Sequence, residues 1–311
     1  MSIDSPGKAE PRAPLTERPS SSAAWLPWVV VGVLATIVIL TLVITDNSGT
    51  ITEPTYPSQQ LNARLPWLWA FAFPIAWVVL FVSFAIQTTR KRTFSMPTML
   101  FLAGTTMFWI EWPADWGSYL VYNRDFWNFS GWTSTWYQNY WKPVNVVFGY
   151  GIFFAVECVI LLKVVPKLRA ALQRLLPRVA PTALLIASCI VVFYAVDIIG
   201  ERLMTLAGWY TYVEPVGLAW TSDRGSISFV WPAVPFLLFA VFITLTLRQD
   251  ANGNYPNEKF FGVHTLTPGM KREFARLAVW IATMNVAIFI AQPLILVVGR
   301  ILFLHHSAYV P

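Results

Sequence analysis

The sequence predicts an all-α fold: a polytopic membrane helix bundle of seven transmembrane helices, N-terminus cytoplasmic and C-terminus outside. Three observations predict it. Apolar residues make up 56% of the chain and charged residues only 12%, against about 25% charged in soluble domains. The apolar residues fall in blocks long enough to cross a bilayer, which takes about 20 helical residues. Lysine and arginine collect in alternate connections, as they do when positive charge is kept on the cytoplasmic side.

Taken in order, residues 1–24 are rich in Pro, Ser and charge and too poor in apolar residues to fold, so they read as a disordered cytoplasmic tail. Trp25–Thr45 lacks the small-residue cleavage pattern of a secretory signal and reads as a retained first span. The second to seventh spans are Pro66–Ile86, Pro97–Tyr119, Pro143–Val165, Pro181–Leu203, Phe229–Leu247 and Phe274–Leu296. Proline opens several of them, where its missing N–H costs nothing. Residues 25–303 thus form one seven-helix transmembrane domain, and 304–311 a short external tail.

The connections set the orientation. Arg90, Lys91 and Arg92 lie between spans two and three; Lys163, at the end of span four, Lys167, Arg169, Arg174 and Arg178 mark the join of four and five; Arg248, Lys259, Lys271, Arg272 and, at the start of span seven, Arg276 mark the join of six and seven. The alternate loops hold only Arg64, then Arg124 and Lys142, then Arg224. The net charge of +6 is therefore topological and implies no nucleic-acid partner.

Chemistry concentrates in Phe108–Lys142, which carries seven of the sixteen tryptophans, interleaved with tyrosines and with Glu111, Asp115, Arg124 and Asp125. Trp and Tyr gather where membrane meets water, and a carboxylate at that depth is costly unless paired, protonated or facing a polar cavity. The stretch reads either as the mouth of a pocket or as an ordinary aromatic belt with solvated charges. The loop Trp209–Arg224 repeats the composition on the same face, which favours a pocket wall or lid built from two loops.

Depth sorts the acids. Glu111 lies about 21 Å along the third span, and Asp115 one turn further on the same face. The fifth span carries Asp197 and Glu201 at i, i+4 on one face, with Arg202 next in sequence. The seventh offers Asn285 and Gln292, seven apart on one face. Crowded carboxyl groups in an apolar setting hold protons more tightly, and such a group can act as a general acid. The competing reading pairs Asp197 or Glu201 with Arg202, or with an arginine in a neighbouring outer loop, as a structural bridge. Glu157 falls below the midplane, towards Lys163, and either pairs, snorkels or belongs to the site.

The remaining motifs are bland. Cys158 and Cys189 sit in apolar blocks without metal spacing and read as packing residues. His305 and His306 read as a solvated end, the sequon at Asn128 as chance, and no metal site is predicted.

In order of features the chain resembles the AveC-like spirocyclase family of actinobacterial membrane proteins. The likeness runs over residues 66–303 through EWPADWGSYLVYNRDFWNFSGW, DIIGERLMTLAGWYTY, SISFVWPAVPFLLF and NVAIFIAQP, departing at Gly117, Ser118 and Trp231-Pro232. The resemblance implies an enzyme of polyketide-type secondary metabolism that closes a dihydroxy-ketone into a spiroketal, with dehydration in some members, and needs no cofactor. It implies Glu111 and Asp115 on one wall and Asp197 and Glu201 on the other. Trp112, Trp116, Tyr119, Tyr122, Trp209, Tyr212, Asn285 and Gln292 would then hold the substrate. The expected partners are a lipophilic small molecule and membrane lipid. The alternative is a non-catalytic lipid-binding or accessory subunit of an envelope or transport pathway.

Overall fold

A computed structural model of the chain describes residues 68–123, 126, 144–304 and 307, with individual helical positions between 29 and 40. The expected N-terminal tail, most of the first span, the aromatic run past 126, the sequon and the two terminal histidines lie outside the described residues.

The fold is mostly helical. A short π-helical turn, Leu68–Ala72, leads into α1 (Phe73–Lys91), which stops where Arg92 takes a left-handed conformation at φ 51°. Ser95 then caps α2 (Met96–Thr105): its hydroxyl accepts from the Thr98 amide at 3.3 Å, and Pro97 occupies the first turn. A 3-10 turn, Phe108–Ile110, joins α2 to α3 (Glu111–Ser118). After the strand β1 (Leu120–Tyr122) come α4 (Val146–Lys163), α5 (Val165–Leu175) and α6 (Pro181–Leu206). Next are β2 (Tyr210–Tyr212), β3 (Ala219–Ser222) and β4 (Gly225–Ser228). Four helices complete the order: α7 (Ala233–Thr246), the short α8 (Pro256–Phe260), α9 (Met270–Ala291) and α10 (Pro293–Phe303).

Four helical runs are long and apolar enough to cross a membrane: Ala70–Lys91, Val146–Leu175, Pro181–Leu206 and Met270–Phe303. Met96–Thr105 and Ala233–Thr246 are apolar but shorter. The chain is a membrane protein on that ground.

Three expectations need correction. The third span is not one helix to Tyr119: α2 ends at Thr105, and α3 starts anew at Glu111, with Pro113 in its first turn. A proline there would break the ladder of a continuous helix but costs nothing in the first turn of a new one. Asn285 seals the break, donating to Thr106 Oγ1 at 2.8 Å and accepting from Trp109 Nε1 at 2.7 Å. The seventh span also splits, at Gln292, because Pro293 has no N–H to give the preceding turn. Finally, the fold is not purely α. β1 pairs antiparallel with β2 in the register Leu120↔Tyr212, Val121↔Thr211, Tyr122↔Tyr210, and β3 pairs with β4.

The core lies where α2 meets α4 and α9, and where α7 packs against α6 and α9. A Cβ on Gly151 would sit 2.2 Å from Thr105 Oγ1 and 3.2 Å from the Phe101 carbonyl, so α4 approaches α2 only because that residue has no side chain. Small residues let membrane helices approach in this way. Gly151→Val is expected to destabilise the fold by about 1–3 kcal/mol, the usual cost of overpacking, read as a lowered melting temperature in detergent.

An ionic clasp closes the loop before α2. Arg276 on α9 lies 3.0 Å from Glu258 of α8 and 3.0 Å from Glu273. Glu273 also accepts from the Thr93 hydroxyl and the Phe94 amide, each at 2.9 Å, and Trp280 Nε1 donates to Glu258 at 2.9 Å.

Candidate active site

Glu111 and Asp115 stand one turn apart on α3, and Asp197 and Glu201 one turn apart on α6, so each helix presents two carboxyl groups along one face. All four line a single cavity of about 380 Å³, together with Gln292 from the break between α9 and α10. That volume falls in the range of small-molecule pockets. The rest of the lining is largely apolar, with Phe73, Leu120, Phe153, Met204 and Phe236 among it.

Two phenols fix the orientation of Glu111. The Tyr122 hydroxyl donates to its Oε1 and the Tyr150 hydroxyl to its Oε2, both in short contacts. Tyr150 projects from α4, while Tyr122 sits on β1, so the carboxylate ties a helix and the strand pair to α3. The Tyr212 hydroxyl is turned to Glu201, and among the described residues it has no hydrogen bond of standard geometry. Burial first, and then the facing carboxylates, hold the Tyr122, Tyr210 and Tyr212 phenols well above their ordinary range; Glu111 acts on Tyr122, and Glu201 on Tyr210 and Tyr212. Their hydroxyls therefore remain protonated donors at neutral pH.

The two aromatic loops meet over the cavity. Beyond the β1–β2 register, the Val213 amide donates to the Tyr119 carbonyl at 3.0 Å and the Asn123 amide to the Trp209 carbonyl at 2.9 Å. Arg202 does not bridge the α6 acids. Its guanidinium donates to Ser222 Oγ at 3.0 Å and stacks 4.2 Å over Trp220, holding the β3–β4 hairpin. Glu157 is buried on α4, one position past the cavity-lining Val156, and among the described residues it forms no ion pair with the exposed Lys163.

Of the residues singled out from sequence, Glu111, Asp115, Asp197, Glu201, Tyr122, Tyr212 and Gln292 line the cavity. Trp112, Trp116, Tyr119, Trp209 and Asn285 do not. Trp116 and Tyr119 pack under Arg300, whose guanidinium lies 4.0 and 4.3 Å from their rings and donates to the Trp116 carbonyl. Trp112 stacks edge-on with Phe108, and Trp209 with Phe73. Asn285 is engaged at the helix break. Tyr150 and Tyr210 were not anticipated. The one signal for Tyr150 is a lone phenol in an apolar span, between Gly149 and Gly151. Among the described residues no group of three or more His, Cys, Asp or Glu is arranged to hold a metal.

Comparison with known families adds one finding. The profile of a family described as spirocyclase AveC-like matches residues 89–308. The chain belongs to the AveC-like spirocyclase family. The matched stretch spans everything from the end of α1 through α10, and so includes both carboxyl pairs and the strand pair above them. The family assignment agrees with the resemblance drawn from the order of sequence features. No curated protein and no solved structure matches the chain.

Proposed function

We propose that this AveC-like protein is a multi-pass cell-membrane enzyme that closes a lipophilic, polyketide-like dihydroxy-ketone to a spiroketal by acid–base catalysis. The observation that carries the reading is the meeting of two carboxyl pairs, from α3 and α6, in one otherwise apolar cavity. Family membership supports the reaction class.

The chemistry balances without an oxidant or reductant. One substrate hydroxyl adds to the ketone to give a hemiketal. A carboxylic acid donates its proton to the hemiketal hydroxyl, the C–O bond breaks, and water leaves behind an oxocarbenium ion. The second hydroxyl forms the new C–O bond, and its proton passes to a carboxylate. One water is released per spiroketal. In this scheme the α6 pair, Asp197 and Glu201, supplies the proton. Glu111, oriented by Tyr122 and Tyr150, receives the proton of the second hydroxyl across the cavity, with Asp115 beside it. Tyr212 and Gln292 hold substrate oxygens, and apolar walls limit competing capture of the cation by water.

The same reading places seven spans in the membrane with the N-terminus cytoplasmic. Its support is the alternation of basic loops together with the four long and two shorter apolar helices. The direct test is product formation. Purified protein in lipid nanodiscs is given a long-chain dihydroxy-ketone, and spiroketal is followed by chiral chromatography and mass spectrometry. Accelerated, single-configuration product is expected. Product at the rate and stereochemistry of empty nanodiscs would leave the non-catalytic lipid-binding alternative.

A further inference from the structure

The cavity is closed towards the loops and open towards the side. Leu120, Tyr122, Tyr210 and Tyr212 of the β1–β2 pair line it and are each at most 5% exposed, so the paired strands form a roof. Val156 on α4 also lines the cavity, yet is 51% exposed. The opening therefore lies along the helices, below the roof.

The two helices flanking that opening are α4 and α6. They are joined through α5, which packs against both. Higher up, the cavity itself lies between them, with Gly149, Ile152 and Val156 on one side and Val196, Gly200 and Met204 on the other. Both glycines leave space. A Cβ on Gly200 would meet nothing within 4 Å, and one on Gly149 would only reach Phe73 Cδ1 at 4.0 Å. Neighbouring α6 side chains on the outer surface are apolar and open, Ile199 at 59% and Leu203 at 63% exposed. An apolar rim on two bilayer-length helices faces acyl chains rather than water.

We propose that the gap between α4 and α6, flanked by Gly149, Val156 and Gly200, is a lateral portal through which a lipophilic ketone passes from the bilayer into the carboxylate cavity. The inference rests on the spiroketal reading only for the choice of ligand. A substrate with a long alkyl part partitions into lipid before it meets the protein. A side opening then admits it without desolvating it through the aromatic roof. The acidic groups at the end of that path meet the oxygenated part of the molecule, while its apolar part trails in the gap.

The test uses a long-chain hydroxy-ketone bearing a diazirine, dissolved in the bilayer of nanodiscs containing the full chain. Photo-adducts are mapped by mass spectrometry. Wild type and Gly200→Ala are expected to label at the cavity residues Tyr150 and Met204. Gly200→Trp should reduce those adducts about tenfold or more, because an indole overfills the gap. Adducts at Val191, which is 60% exposed on α6 and lies outside the cavity, serve as the lipid-facing control and should not change. Val156→Trp plugs the same gap from the opposite helix, and its exposed position makes it tolerant of substitution. It gives the result even where Gly200→Trp does not fold. Undiminished cavity labelling in a folded plug variant, or no cavity labelling in wild type, would overturn the portal. Labelling requires no turnover, so absence of spiroketal product leaves this result readable, and loss of the portal leaves the carboxylate chemistry standing.

Discussion

Asp197→Asn is expected to slow spiroketal formation by about 10²–10⁴-fold, the range lost when a positioned acid or base is removed, while the protein stays folded. Asparagine keeps the shape of the side chain but has no proton to give. The carboxyl group lines the cavity, and Arg202, the nearest cation in sequence, is engaged with the β3–β4 hairpin instead. Little stability therefore depends on its charge. The check is a rate measurement in nanodiscs beside a melting curve. A large rate loss with an unchanged melt assigns the group to catalysis, whereas a lost fold assigns it to structure.

The second large effect is on stability. Arg276→Ala is expected to cost about 3–5 kcal/mol, the usual penalty for removing one partner of a buried ionic cluster. Arg276 sits between Glu258 and Glu273, whose side chains are only 3% and 10% exposed. Without it, two carboxylates share one poorly solvated pocket. Glu273 would still accept from Thr93 and Phe94, and Glu258 from Trp280, but neutral donors do not offset the like charge. None of Arg276, Glu258 and Glu273 lines the carboxylate cavity, so the expected signature is a lower melting temperature or loss of expression. A melt indistinguishable from wild type would show that Arg276 does not hold the α2 loop to α9.

Much of this architecture could be read from the chain because membrane helices announce themselves as apolar blocks, and proline marks their boundaries. Pro181 opens α6 where expected. Pro113 and Pro293 carried the same information about the two broken spans, but only Pro293 is followed by a further apolar run, LILVVG, that argues for continuing the helix. The acid pairs were legible because i, i+4 spacing fixes a shared helix face. The strand pairing was not. Two three-residue strands from distant loops carry no periodicity of their own, and only the packed helices bring Leu120 opposite Tyr212. The aromatic residues show the limit of composition as a guide. Trp116 and Tyr119 look like site residues, yet Arg300, from the last helix, draws their rings into packing. Tyr150 looks like part of an apolar span, yet it grips Glu111. Which ring meets which acid depends on helix rotation, and Gly104 and Gly151 help set that rotation by letting α2 and α4 close together.

The most direct measurement is a double-substitution cycle on the two walls: Glu111→Gln, Asp197→Asn and both together, each assayed for spiroketal in nanodiscs. If the two carboxyl groups serve one bound substrate, the double variant should be about as slow as the slower single one, because groups that act as a unit lose their effect together. Two single variants that each close the ring at the wild-type rate would contradict it, leaving the acid-lined cavity of α3 and α6 without a catalytic role.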